Sequence, residues 1–167
     1  GTGVGAGYSV NKKIIVGPNT LTGEWGQNPI PGPMDEYEKS VKRHCGRVGA
    51  VEVFLSGPGL ENYYEHITKT KISSRDIVSL YQENDPVAGE VMDVYFERIA
   101  RSFSTFVNIL DPDVIVCGGG MSEIDEIYDE VPDRIIPYIA SNFFLTPIVK
   151  ATHGSSSGVR GAAHLWN

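Results

Sequence analysis

The first ten residues alternate between apolar and small side chains with a period of two. One face carries Val4, Ala6, Tyr8 and Val10, and the other carries Gly3, Gly5, Gly7 and Ser9. Side chains on successive residues of a β-strand point to opposite faces, so this pattern predicts a strand rather than a helix. Asn11 and Lys12 supply a turn, and residues 13–16 return as a second strand. The chain therefore opens with a β-hairpin.

The first six residues, Gly1 to Ala6, also satisfy the dinucleotide-binding pattern G-x-G-x-x-G/A. That pattern binds pyrophosphate where a strand turns into a helix, whereas here the strand period continues. We therefore interpret the match as coincidental. A strand with a glycine face is instead a surface that something approaches closely. The partner is either another segment packed tightly against it or a set of phosphate oxygens bound by exposed N–H groups.

Residues 17–49 form a long irregular loop. Glycine and proline recur throughout it, at Gly17, Pro18, Gly23, Gly26, Pro29, Pro31, Gly32 and Pro33. These residues interrupt long helices and strands. A loop of this length within a compact domain is commonly functional or mobile.

Helical periodicity follows the loop. Short helices are predicted at residues 51–56 and 59–68, and another runs from Ser73 or Ser74 through Tyr81. The clearest helix spans residues 85–110, with apolar residues every three or four positions. Asp85 suits its N-cap, Pro86 suits its first position, and Asp111-Pro112 ends it.

The remaining residues alternate strands and helices. Val114–Cys117 is a continuous apolar run, which predicts a strand covered on both faces, and three glycines end it. Ser122 is predicted to cap a helical stretch, with Asp125 in the capping-box position. A helix over 128–140, a strand over 147–150 and a terminal helix over 158–166 complete the α/β order.

Composition narrows the possible functions. The 167 residues carry a net charge of −7, which disfavours binding to a nucleic-acid backbone. No apolar run approaches the roughly 20 residues of a membrane span. The two cysteines form no disulfide framework, so we expect a reducing, cytoplasmic setting. The chain begins inside a motif, and we expect it to be part of a longer protein.

Two glycine-rich turns suggest a nucleotide. Gly1-Thr2-Gly3 can cradle phosphates, with a hydroxyl from Thr2, and Gly118-Gly119-Gly120 follows a buried strand, where α/β sheets place ligands. Backbone without side chains lets a flat ring lie against it. The alternative for the second turn is a plain strand-to-helix connection.

Four stretches in this order resemble the ROK family of sugar kinases. They are GTGVGAGYSVNKKIIVGPNTLTGEWGQNPIP, HCGRVGAVEVFLSGPGL, NILDPDVIVCGGGMS and HGSSSGVRGAAHLW. The resemblance implies an actin-like ATPase (ribonuclease H-like) fold, of which residues 1–167 would be the C-terminal lobe without the N-terminal lobe. The GEWG-NP-P loop and the SSGVRGAA-LW ending look most similar to bacterial fructokinases with broad hexose use. N-acetylhexosamine kinases come next.

The resemblance also implies a site. The residues facing the ATP phosphates would be Gly1, Thr2, Gly3, Val4 and Gly5. The adenosine pocket would be lined by Gly118, Gly119, Gly120 and Met121, and the sugar would be bound by Glu24, Gln27 and Glu52. Carboxylates suit this task because each accepts hydrogen bonds from two neighbouring hydroxyls. The alternative for Glu24 and Glu52 is that they are ordinary solvated acids.

The zinc site that the family carries is degenerate here. Its pattern, G-E-x-G-H followed by C-x-C-G-x-x-G-C-x-E, has Gln27 in place of the histidine, Arg43 in place of the first cysteine and Ala50 in place of the third. Cys45 alone is retained, whereas a structural zinc requires four donors. We therefore expect no zinc, and a loop held by packing and hydrogen bonds or else mobile. The family histidine also contacts the sugar; Gln27 can still donate and accept a hydrogen bond, but its geometry and charge differ.

The resemblance implies that a sugar hydroxyl attacks the γ-phosphate of ATP, with an aspartate as general base and Mg²⁺ neutralising charge. That aspartate lies upstream in the family, so no catalytic residue is expected in this chain. The leading hypothesis is the C-terminal lobe of a homodimeric hexose kinase, with fructose as the expected substrate. The alternatives are the sugar-sensing domain of a ROK-type transcriptional repressor and a non-catalytic kinase remnant.

Overall fold

The computed structural model describes residues 2–43 and 45–163. Two predictions lie wholly or partly outside these residues: the phosphate role of Gly1 and the terminal helix beyond residue 163. None of the helices in the described ranges combines the length and apolar character that crossing a bilayer requires.

Four short strands and seven helices make up the described chain, which confirms the predicted α/β class. The strands are β1 (Ser9–Val10), β2 (Lys13–Ile14), β3 (Ile115–Cys117) and β4 (Ile148–Lys150). The helices are α1 (Glu36–Ser40), α2 (Glu52–Leu55), α3 (Gly57–Thr68), α4 (Ser74–Gln82), α5 (Pro86–Leu110), α6 (Ile127–Ile135) and α7 (Ser157–Ala163). Single 3₁₀ turns occupy Glu24–Gln27, Gly120–Glu123, Ile136–Tyr138 and Gly154–Ser156.

The opening hairpin forms, but it is shorter than predicted. Strands β1 and β2 pair antiparallel, and both turn residues adopt positive φ angles, 51° at Asn11 and 62° at Lys12. Residues 4–8 are not part of a strand, and the predicted apolar face is not buried: Ala6 and Val10 are exposed. The segment is held by other contacts, described below.

Helix α5 is the centre of the fold, and its predicted ends are confirmed. The Asp85 carboxylate accepts a 2.8 Å hydrogen bond from the Ala88 amide, and Pro86 occupies the first turn. Asp111 ends the helix in the left-handed conformation, with φ of 42°. Helices α2, α3, α4 and α6 pack around it and bury a common core, whose largest members include Phe54, Leu60, Ile77, Met92, Phe96, Val131 and Ile135.

Strands β3 and β4 form a two-stranded parallel sheet beside α6. Ile115 and Ile148 face the core, each 8% exposed. The prediction that Val114–Cys117 is covered on both faces is wrong, because Val114 is 45% and Val116 is 59% exposed. The sheet has a helix layer on one face only within the described residues.

Ser122 does not cap a helix, contrary to prediction. It lies inside the 3₁₀ turn, where its hydroxyl donates to the Gly119 carbonyl oxygen at 2.7 Å and its own carbonyl oxygen accepts from the Tyr128 hydroxyl at 2.7 Å. Helix α6 begins five residues later without a side-chain cap. The capping pattern was misleading because Gly119, with φ of 91°, turns the chain before a helix can start.

Candidate functional site

The glycines at the start of the chain pack against the turn at Glu24–Gln27. The Ala6 amide donates to the Gly23 carbonyl oxygen at 2.8 Å. A Cβ atom at Gly23 would collide with the carbonyl oxygen of Ala6, and one at Gly26 would collide with that of Val4. Gly23 also has a φ of 96°, which side chains rarely tolerate. Glycine is therefore required at both positions of the turn, because the main chain of residues 23–26 packs directly against the main chain of residues 4–6.

Two predicted sugar ligands, Gln27 and Glu52, lie together. Backbone hydrogen bonds join the segments that carry them. The Ile30 amide donates to the Gly49 carbonyl oxygen at 2.7 Å, and the Val51 amide donates to the Asn28 carbonyl oxygen at 2.9 Å. This pairing places Gln27 beside Glu52, and Gln27 Nε2 donates to Glu52 Oε2 at 3.3 Å.

The third predicted sugar ligand, Glu24, lies one turn before Gln27. A 3₁₀ helix has three residues per turn, so Glu24 and Gln27 share a face, and Glu24 is exposed there. Gly3 also lies beside Glu52: a Cβ atom on Gly3 would be 3.2 Å from Glu52 Oε2. The predicted phosphate segment and the predicted sugar ligands are therefore neighbours.

Arg43 also reaches this cluster, which the sequence did not indicate. Its Nε atom lies 2.6 Å from Glu52 Oε1, and the two side chains are only 12% and 18% exposed. Arg43 Nε has no acceptor in hydrogen-bond alignment, so the contact is an ion pair rather than a directed hydrogen bond. A polar pocket of about 250 Å³ adjoins this pair, and Thr2, Ser56 and Asn62 contribute to its wall.

The loop that carries these residues is anchored by a buried carboxylate. Glu38 is 1% exposed, and its oxygens accept from Arg98 Nε at 2.9 Å and from Arg101 Nη1 at 3.1 Å. Arg101 also donates to the carbonyl oxygens of Pro31 and Pro33. The loop is thus held by packing and hydrogen bonds, the first of the two expectations.

Arg98 is enclosed by aromatic rings. Its guanidinium carbon lies 4.2 Å from the ring centre of Tyr63, 5.0 Å from that of Phe54 and 5.3 Å from that of Tyr37. Such cation–π contacts offset part of the cost of burying the charge. Burial raises the pKa of Tyr37 and of Tyr63, so both rings stay neutral beside the arginine.

One large cleft of about 280 Å³ joins the two glycine-rich turns. Gly3, Val4 and Gly5 contribute to one side, and Gly118 and Met121 contribute to the other. Its floor is apolar, where the Trp25 ring meets Phe103 and Phe106 edge to face at centroid distances of 6.1 and 5.4 Å.

Three predicted nucleotide residues lie off this cleft. Thr2 lines the polar pocket instead, beside Glu52. Gly119 and Gly120 form the turn that follows the cleft wall. The amides of Gly3, Val4 and Gly5 donate no hydrogen bond to residues 2–43 or 45–163.

A second segment borders Gly118 that was not predicted as part of the site. The Ala151 amide donates to the Cys117 carbonyl oxygen at 2.8 Å, and a Cβ atom on Gly118 would be 3.7 Å from Ala151 Cβ and 3.8 Å from Ser157 Cβ. Nearby, Lys150 Nζ pairs with Glu123 at 2.9 Å and with Asp125 at 3.0 Å. The glycine–serine run at 154–157 was a usable signal for a turn at this place.

The two cysteines differ in environment. A hydrogen bond from the Arg47 backbone and the charges of Arg43 and Arg47 lower the pKa of the exposed Cys45 thiol. Burial raises the pKa of Cys117 to about 11. Within residues 2–43 and 45–163, no three His, Cys, Asp or Glu side chains gather closely enough to hold a metal ion.

Sequence comparisons find a matching family and several similar curated proteins. A sequence model of the ROK family matches residues 1–167. The chain is 37% identical over 169 residues to the N-acetyl-D-glucosamine kinase of Vibrio atlanticus (strain LGP32), and 36% identical to that of Yersinia pseudotuberculosis serotype O:3 (strain YPIII). Each match covers 99% of this chain and 56% of the relative, so the chain spans about half the length of these curated relatives. Neither name supports the expected likeness to fructokinases.

Solved structures share the fold. A ROK family glucokinase from Streptomyces griseus, in complex with glucose and AMPPNP, matches with a TM-score of 0.84 and 21% identity over 99% of this chain and 57% of its own. The ROK hexokinase of Thermus thermophilus matches with a TM-score of 0.80 and 22% identity, over 97% of this chain and 53% of its own. These likenesses confirm the predicted actin-like ATPase fold, of which the chain is a part.

Proposed function

The chain belongs to the ROK family, and from this premise we propose that it is the C-terminal lobe of an ATP-dependent hexose kinase. The observation that carries the proposal is the adjacency of two sites. Gly3 belongs to the cleft that reaches Gly118, and its α-carbon also faces the Glu52 carboxylate. A phosphate donor in the cleft and a sugar beside Glu52 would therefore meet at Gly3, as phosphoryl transfer requires.

The backbone near Gly3 fits a triphosphate. The amides of residues 3–5, which donate to no other residue in the described part of the chain, would bind phosphate oxygens, with the Thr2 hydroxyl alongside. Gly118 and Met121 would face the adenosine, with Gly119 and Gly120 shaping the turn. Magnesium, when bound with the nucleotide, neutralises charge that develops on the transferred phosphoryl group.

The acidic and amide side chains fit a sugar. Glu52 and Gln27 are joined at 3.3 Å, and Glu24 lies one turn away on the same face. Carboxylates accept hydrogen bonds from hydroxyl pairs, and the Gln27 amide both donates and accepts. We assign no general base to this chain, since Asp111 and Asp113 lie at the junction of α5 and β3, where Asp111 ends the helix.

The relatives bear on which hexose is phosphorylated. Eight curated relatives at 34–37% identity are named N-acetyl-D-glucosamine kinases. We therefore place N-acetylglucosamine first among the substrates to test and fructose second. A homodimeric assembly also remains part of the proposal.

A repressor domain is the second candidate. A structure described as a ROK family transcriptional regulator matches with a TM-score of 0.71, over 89% of this chain but only 39% of its own. Such a protein would bind the sugar beside Glu52 without using the cleft for ATP.

A coupled assay of ADP release, on the intact protein that contains these residues, separates the possibilities. We expect ADP to appear only when ATP and a hexose are both present, with N-acetylglucosamine, fructose, mannose and glucose tried in turn. Hexose binding without turnover of any of the four would instead favour the repressor. If the protein neither binds nor turns over any hexose, the remaining alternative is a non-catalytic kinase remnant.

A further inference from the structure

We propose that Arg43 is a positioning residue for the sugar site, which acts by fixing the orientation of the Glu52 carboxylate. The inference rests on the proposed function, because it treats Glu52 as a sugar ligand. The contact is specific: Arg43 Nε and Glu52 Oε1 are 2.6 Å apart, with the arginine 12% exposed. An ion pair shielded from water in this way restrains a carboxylate far more than an exposed pair does.

The two oxygens of Glu52 are held from opposite sides. Oε1 pairs with Arg43, and Oε2 accepts from Gln27 Nε2 at 3.3 Å. A carboxylate has about four lone-pair positions, so two contacts leave lone pairs free for sugar hydroxyls. The pair of contacts fixes the plane of the carboxylate before any ligand arrives.

Arg43 is itself held by the backbone around it. Its amide donates to the Arg47 carbonyl oxygen at 2.8 Å, and its carbonyl oxygen accepts from the Gly46 amide at 2.9 Å. Lys42 and Val48 form an antiparallel bridge immediately outside this turn. Arg43 Nη1 also lies 3.6 Å from Cys45 Sγ. The guanidinium is therefore presented to Glu52 from a closed turn rather than from a free loop.

The charge of Arg43 has a second consequence. Glu52 is partly buried, and an unpaired carboxylate there would carry a desolvation penalty. Pairing with Arg43 offsets part of that penalty and keeps the carboxylate in its place beside Gln27. Removing Arg43 would leave Glu52 free to turn toward water or toward Gln27, and sugar would have to reorder it on binding.

Steady-state kinetics of the intact protein test the role. For Arg43→Met, we expect the KM for the hexose to rise about 10- to 100-fold, by analogy with the loss of a residue that orients a metal-coordinating side chain. The kcat should fall less than about threefold, and the KM for ATP should stay unchanged, because binding rather than the transition state is affected. Arg43→Lys should recover part of the affinity, since the ammonium keeps the charge but lacks the planar fork.

Arg47→Met is the matched control, because Arg47 lies on the same turn and is exposed. Its hexose KM should equal that of the unmodified protein. Circular dichroism and the melting temperature of each variant report whether the fold survives. An unchanged hexose KM in Arg43→Met would overturn the proposal, and so would equal increases in the KM for hexose and for ATP.

Direct binding separates this inference from the proposed function. Titration calorimetry with each of the four hexoses measures affinity whether or not turnover occurs. If the intact protein binds a hexose without phosphorylating it, kinase function fails, yet the loss of affinity in Arg43→Met still supports the role of Arg43. If the unmodified protein binds none of the four, both proposals are overturned.

Discussion

The two sides of the site are held by different forces. On the proposed sugar side, Glu38 is 1% exposed and pairs with arginines 60 and 63 residues away in sequence. On the proposed nucleotide side, Lys150 pairs with Glu123 and Asp125, whose side chains are 49% and 81% exposed. One side is thus fixed by buried, long-range charge pairs, and the other by neighbouring segments at the surface.

The two regions are therefore expected to differ in how much a substitution in them destabilises the fold. A buried ion pair costs several kcal/mol when one member is removed, whereas an exposed pair contributes about 0–1 kcal/mol. The sugar side is therefore preorganised, and the nucleotide side is free to open locally. Substrate selectivity is expected to reside in the rigid half, where small displacements are costly.

The largest effect is expected from removing the buried carboxylate on the sugar side. Glu38→Gln leaves Arg98 and Arg101 without their shared anion, and we expect a loss of about 3–5 kcal/mol in the free energy of unfolding. Urea denaturation followed by circular dichroism measures it. Glu36→Gln is the control: Glu36 is 91% exposed and, among the residues that the structure describes, pairs only with Lys39, so stability should not change measurably. Equal effects in the two variants would contradict the comparison.

A smaller effect is expected where main chain meets main chain. In Gly26→Ala the new Cβ collides with the Val4 carbonyl oxygen, so the turn must move away from residues 4–6. Overpacking of this kind costs about 1–3 kcal/mol. In Gly7→Ala the new atom meets nothing within 4 Å, so its melting temperature should match that of the unmodified protein. Indistinguishable melting curves for both variants would show that the close approach contributes nothing.

The smallest effect is a difference in alkylation rate between the two thiols, Cys45 and Cys117, which lie in the two different regions. At pH 8, Cys45 should react with iodoacetamide at least about tenfold faster than Cys117, because only the thiolate attacks. Burial raises the pKa of Cys117 to about 11, so roughly one molecule in a thousand is ionised there. Peptide mass spectrometry resolves the two sites, and urea should equalise their rates. Faster labelling of Cys117 in the folded protein would refute the assigned environments.

Local signals in the sequence predicted much of the fold. Asp85, Pro86 and Asp111 fixed the ends of α5 because caps depend on neighbouring residues. The strand at Val116 was also predicted, but its exposure was not, since apolar runs do not show whether a covering layer is present. The prediction that Ser122 caps a helix was wrong, because Gly119 turns the chain before a helix can begin.

Only part of the candidate site could be predicted, because local sequence signals do not report contacts between distant segments. Glu52 and Gln27 were predicted as sugar ligands through family motifs, and the structure brings the two side chains into contact. Arg43 and Glu38 were missed, because their roles depend on partners that the fold brings together across 9 and 60 residues. No local pattern marks such pairs.

Hydrogen exchange of the intact protein, with and without each ligand, tests the division of the site most directly. A non-hydrolysable ATP analogue should slow exchange at residues 2–7 and 117–123, because the free amides of residues 3–5 would then bind phosphate. The hexose should slow exchange at residues 23–28 and 51–54 instead. Protection by the nucleotide outside both of its segments, or no protection by either ligand, would contradict the account.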